Sequence, residues 1–199
     1  MTDTWYEVVE ARTPLTQGDL IFQCPVLAWK AGTLDLQGQD ETEVLHGATV
    51  VTAPDVVVMT QACDLEHRNV ENVILCPHVS LSEHYSNWKR NMEIASQNPS
   101  KRAWRAHCDD ICKGFLWNVM MLNDGQIGES RLALRVVYFE EVFTVPIPFL
   151  ESLIEKRGNS RFRLLPPYRE HLSQAFARFF MRVGLPVPIE KDWTIEETT

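Results

Sequence analysis

Two short runs, Val56–Met59 and Val73–Cys76, restrict this chain more than any other feature. Neither alternates apolar with polar residues, so neither has a face meant for water. Short unbroken runs rich in β-branched residues suit strands covered on both sides. Between them lie the charged residues Asp64–Asn69, and so short a polar link makes antiparallel neighbours. The spacing predicts a central hairpin with structure packed on both faces. A turn centred between His67 and Arg68 sets Cys63 opposite about Asn72 and Cys76 opposite about Met59.

Around that hairpin the chain reads as one domain over residues 1–184, followed by an acidic tail over 185–199. The 199 residues, 45% hydrophobic and 23% charged, can bury a sizeable core and match a globular protein. No apolar run approaches the roughly 18 residues of a membrane span. The opening residues lack the basic start and apolar stretch of a secretory signal. Five cysteines, an odd number, point to reduced thiols in a cytosol. The expectation is a cytoplasmic protein with no membrane partner.

Trp5–Val9 reads as an edge strand. Gln17-Gly18-Asp19 is a turn leading into Leu20–Leu27, a strand interrupted by Pro25. Ala28–Gly47 reads as a long exposed connection and Thr49–Thr52 as a strand arm. Ser80 with Glu83 has capping-box spacing and opens a helix to about Gln97. Ser100 caps a second helix that Gly114 ends. These two helices form an insertion over about 81–114. Phe115–Leu122, Arg131–Phe139 and Val142–Val145 are strands, Pro148–Gly158 brackets a helix, and Arg161–Leu165 is extended. The last helix, after Pro166-Pro167, aligns Leu172, Ala175, Phe176, Phe179, Phe180 and Val183 on one core-facing stripe.

The net charge of −8 is unevenly spread. Residues 1–80 carry 12 acids and 3 bases, whereas residues 81–182 carry 11 acids and 15 bases. An acidic first half repels polyanions, which argues against non-specific nucleic-acid binding by the whole surface. It leaves room for a local basic face, or for two halves that attract each other.

Several clusters carry chemistry. Cys63 and His67 stand four apart across the expected turn; an imidazolium beside a thiol favours the thiolate nucleophile, but an ordinary strand-end cysteine with Asp64 capping the turn is the more economical reading. Cys24, Cys63, Cys76 and His78 fall near strand ends, but the expected register separates Cys63 from Cys76 by roughly 13 Å. One zinc, with bonds to sulfur of about 2.3 Å, does not span that distance. His107, Cys108 and Cys112 share a helix without a second ligand pair, so no metal or other cofactor is expected. Arg161, Arg163, Arg169 and His171 gather at the start of the last helix and suit an anion or an acidic partner surface; pairing with the chain's own surplus acids accounts for them more readily. Trp88 and Trp104 among Lys89, Arg90, Lys101, Arg102 and Arg105 could stack on single-stranded RNA, or pack inward with the cations turned out. Phosphate-cradling glycine loops, nucleophile elbows and zinc-protease motifs are absent.

The order Gly18-Asp19, a long loop, Pro54 before Val56-Val-Val-Met-Thr60, then Val73-Ile-Leu-Cys-Pro77 resembles the MazF/PemK-like toxin barrel. The likeness covers residues 17–80 and, more loosely, 130–183. It implies an α+β fold: a small, partly open antiparallel SH3-like barrel with a helical insertion and a carboxy-terminal amphipathic helix. The family's catalytic arginine before proline maps onto Ala53, and its partner threonine near Val79, with Ser80 the nearest hydroxyl. Cleaving RNA needs a base and a cation to stabilise the phosphorane. Lacking that arginine, the resemblance implies a non-catalytic binding or assembly module with a protein partner, in a bacterial toxin–antitoxin or phage-defence setting; self-association is compatible with it. The alternative is an endoribonuclease-like toxin with a rearranged site drawing on Cys63, His67, His78 or Ser80 and an arginine such as Arg169.

Overall fold

The structure, a computed structural model, describes residues 4–30, 32 and 40–181. The tail expected at 185–199, Val183 and most of the link after Trp29 lie outside the described residues. Along the chain come β1 (Tyr6–Val9), β2 (Leu20–Ile21), β3 (Val26–Trp29), α1 (Glu41–Ala48), β4 (Thr49–Thr52), β5 (Val56–Val58) and α2 (Ala62–Glu66). Then follow β6 (Asn72–Ser80), α3 (Leu81–Ile94), α4 (Lys101–Cys112), β7 (Val119–Leu122), β8 (Gly125–Ile127) and β9 (Ser130–Leu132). The chain continues through β10 (Arg135–Tyr138), β11 (Phe143–Pro146), α5 (Ile147–Arg157), β12 (Arg161–Leu164) and α6 (Tyr168–Phe180).

The nine-residue strand β6 organises the fold. It pairs antiparallel with β5 on one side, and on the other with β11 along its first half and β10 along its last residues. The main sheet runs β2-β5-β6-β10-β7, with β11 branching from β6; β1-β12, β3-β4 and β8-β9 are separate two-stranded ribbons. The result is a mixed α+β fold of several antiparallel sheets, and among the described residues none closes into a barrel.

The valine-rich runs are neighbours, as expected, and both faces of β5 are covered. Val56 and Val58 face a core with Leu75, Leu150 and Ile154, while Val57 and Met59 face a second core with Cys76, Phe139 and Leu172. Their register differs from the expected one: Cys76 lies opposite Val57, not Met59. Five residues of the link coil into α2 rather than forming an open turn. In addition, Thr60 Oγ1 accepts the Ile74 amide at 2.7 Å, which moves the turn centre one residue earlier.

Helix boundaries follow local chemistry. The Ser80 and Ser100 hydroxyls accept the amides of Glu83 and Ala103, and Gly158 ends α5 in the left-handed conformation. The connection expected at Ala28–Gly47 instead contains α1, capped by Asp40 through the Thr42 and Glu43 amides. Only Ala48 of that helix is buried, so no apolar stripe announces it. The expected strand Arg131–Phe139 breaks into β9 and β10, which join different sheets. On α6, Leu172 is buried, but Phe180 is turned to solvent and is not part of the core stripe.

One buried lock holds the ribbon β1-β12 to β2. Asp19, wholly buried, accepts from Arg161 Nε at 2.8 Å and from Arg163 Nε at 2.6 Å. Arg161 spends its remaining donors on the carbonyls of Glu10, Ala11, Thr13 and Pro14.

Candidate functional site

The register of β5, β6 and β10 assembles a polar centre from three distant residues. Asp55 lies beside His78 across the β5-β6 pair, where the His78 amide donates to the Asp55 carbonyl at 2.8 Å. Arg135, opposite Ser80, leans diagonally onto the same face. Its Nε donates to His78 Nδ1 at 2.9 Å and its Nη2 to the Asp55 carboxylate. Phe22 closes the centre from outside, with Arg135 5.4 Å from its ring centroid and His78 edge-on at 5.6 Å.

This geometry dictates the state of the ring. A guanidinium can only donate, so Nδ1 of His78 must carry the lone pair and Nε2 the hydrogen. Burial, reinforced by the Arg135 charge, lowers the His78 pKa to about 3. The Val56 backbone offsets a little of this, yet Nε2 reaches no acceptor in hydrogen-bond geometry. A buried donor left open costs about 1–3 kcal/mol. The centre thus holds a neutral histidine locked to a neutralised arginine, with 38%-exposed Phe22 as its only aromatic cover among the described residues.

A second cluster lies on the opposite face of β10, under the helical insertion. His84 shares hydrogen bonds with Tyr138 Oη at 2.6 Å and with His107 Nε2 at 2.9 Å. Trp104 packs on Trp88, Tyr85 and His107, so the insertion's aromatic rings are spent largely on one another. Burial, with the neighbouring His107, lowers the His84 pKa to about 4, and burial also lowers that of His107. No group of three or more metal-ligating side chains occurs among the described residues.

The residues singled out from sequence are dispersed. Cys63 sits exposed in the first turn of α2, and His67 caps its other end; no hydrogen bond joins their side chains. Ser80 Oγ is committed to the Glu83 amide and to Ser82. Cys24 and Cys76 lie in the two different cores, their thiols pushed up to about 11 and 12 by burial. Of the arginine cluster, Arg161 and Arg163 already hold an anion, the chain's own Asp19. Arg169 pairs with Glu170 at 2.8 Å and His171 is exposed.

A cavity of about 760 Å³ brings Arg163 and Arg169 together with Arg68. Glu7, Glu66 and Glu151 line it too, and Arg68 is bridged to Glu151 at 2.7 Å. Three acids against three arginines leave no surplus for an anion. Asp55 and Arg135 are the functional candidates that sequence reading missed. Their one local signal is that each is a lone charge heading an apolar strand, Val56–Val58 and Val136–Tyr138.

The fold and its sites define a mixed α+β protein with a buried His–Arg–Asp centre. No protein-family model and no curated protein sequence matches the chain.

Proposed function

We propose that this protein is a binding or assembly module that docks a protein partner through the outer face of the β3-β4 ribbon. The observation that carries the reading is a cross-strand pair, Leu27 opposite Val51, 70% and 67% exposed, with Trp29 beside it at 64%. The other face of the ribbon is anchored by buried Val26. Large apolar side chains gathered on one face of a projecting ribbon are a feature of interaction surfaces rather than of free ones. Burying one such side chain is worth about 1.5–3 kcal/mol, so three can form the centre of an interface. The roles found for Ser80 and His78, a helix cap and a buried strut, support this reading over a catalytic one. The resemblance to MazF/PemK-like toxins is what supports a bacterial toxin–antitoxin or phage-defence setting.

The test is to isolate the partner, purify it and measure its affinity by calorimetry for wild type and for the Trp29→Asp, Val51→Lys double variant. A loss of about 100-fold or more is expected. Unchanged affinity would overturn the docking face. A second reading, an endoribonuclease-like toxin with a rearranged site, is favoured by the His78–Arg135–Asp55 centre alone. It requires Phe22 to swing aside and predicts metal-independent RNA cleavage that Arg135→Lys abolishes.

A further inference from the structure

The stripe on α6 that faces α4 has a different character from the rest of this acidic protein. His171, Gln174, Ala175 and Arg178 recur at the spacing of one helical face. Opposite them, α4 ends at Lys113 and Gly114, and the chain returns toward β7 through Leu116 and Trp117. Together they line a groove of about 310 Å³ that, among the described residues, contains Lys113, Arg178 and His171 and no carboxylate. Neither Lys113 nor Arg178 makes a side-chain hydrogen bond or ion pair among the described residues, whereas Arg135, Arg161 and Arg163 all do.

Arg178 reaches the residue next to Lys113. Gly114 has φ +70, and a Cβ there would lie 3.6 Å from Arg178 Nη1, so the guanidinium passes over the end of α4. The carbonyl end of a helix repels anions, and the last turn of α4 also carries Asp109 and Asp110, so Lys113 and Arg178 must supply the attraction for any anion held there. Trp117, 46% exposed, has no aromatic partner among the described residues, unlike Trp5, Trp88 and Trp104. Half-buried Met120 and buried Val119 floor the groove.

We infer that this groove binds a nucleoside monophosphate unit, the phosphate held by Lys113 and Arg178 and the base laid on Trp117. Paired cations select a compact anion. An open indole face takes any base, and the Gln174 amide offers a donor and an acceptor to its edge. The volume lies at the lower limit of ligand sites, about 300 Å³, which suits one nucleotide. The unit can come from a free nucleotide or from the end of a single-stranded RNA. Neither the ribbon of β3-β4 nor the centre at His78 contributes to the groove, so this inference stands apart from the docking reading.

The experiment is an anisotropy titration of the full chain with a fluorescently labelled adenosine monophosphate, competed by unlabelled nucleotide, inorganic phosphate, adenosine and a short 5′-phosphorylated RNA. Binding below about 1 mM is expected, with phosphate and adenosine each about tenfold weaker. The Lys113→Gln, Arg178→Gln double variant should lose about tenfold or more, and Trp117→Ala about fivefold, with unchanged thermal melts. Cys112 lines the groove and Cys63 does not, so the nucleotide should slow alkylation of Cys112 alone in the same sample. RNA outcompeting the mononucleotide through the same three side chains assigns the unit to a strand end; equal competition assigns it to a free nucleotide. Absence of binding at about 1 mM, binding that survives the double variant, or an unprotected Cys112 would each overturn the inference.

Discussion

His78 ties the buried centre to a measurable pH dependence. Folded, the ring has a pKa of about 3, against an ordinary 6.5 when the chain is unfolded. Above about 6.5 it is neutral in both states and contributes no pH slope. Between those values the unfolded chain takes up a proton that the folded one refuses, so stability falls as the pH falls. At pH 5 that difference amounts to roughly 2 kcal/mol, growing toward roughly 5 kcal/mol near pH 3. The comparison needed is wild type against His78→Gln, whose side-chain oxygen can still accept from Arg135 Nε but which gains no proton. Urea unfolding at about pH 7.5 and about pH 5 should show wild type losing roughly 2 kcal/mol more than the variant, about 1 M in midpoint. His84, lowered to about 4, titrates in the same window but is common to both proteins and cancels. Equal pH slopes in the two proteins would show that the folded ring accepts protons freely, and the buried, arginine-locked description would fail.

Three further outcomes are expected. Asp19→Asn leaves Arg161 and Arg163 without their shared counter-charge, and removing one member of a buried ionic set costs about 3–5 kcal/mol. Thermal melting should fall by about 10 °C, and a drop under about 3 °C would contradict the lock. Gly18→Ala at φ +84 brings a new Cβ to 2.9 Å from Leu164 Cβ, so it should destabilise by at least about 1 kcal/mol. The same melts would read it, and Gly158→Ala, with open space around it, should cost less. With a chromogenic disulfide reagent, Cys63 and Cys112 should react at once and Cys24 and Cys76 only as the protein unfolds. Rapid reaction of all four would refute the assigned burial.

Much of the local structure was legible because its causes lie within a few residues. Valine runs without alternation announced strands covered on both faces, and the Ser80 and Ser100 hydroxyls announced helix starts. Gly114 and Gly158 marked the ends, because each adopts a positive φ there. The α1 helix escaped notice since its residues are nearly all exposed; the acceptor at Asp40 followed by Glu43 was its one readable signature.

The polar centres were not legible in the same way. His78 and Arg135 are 57 positions apart, and Asp19 and Arg161 are 142 apart. Their meeting depends on which strands pair and in what register, and a shift of one residue would turn each side chain to the opposite face. Sequence alone therefore settled the helices with readable ends, α3, α4 and α5, whose caps and hydrogen bonds close within a turn or two. Only the tertiary structure decided that Arg161 and Arg163 are spent on Asp19 while Lys113 and Arg178 are left facing a groove, because charge pairing depends on distance in space and not along the chain.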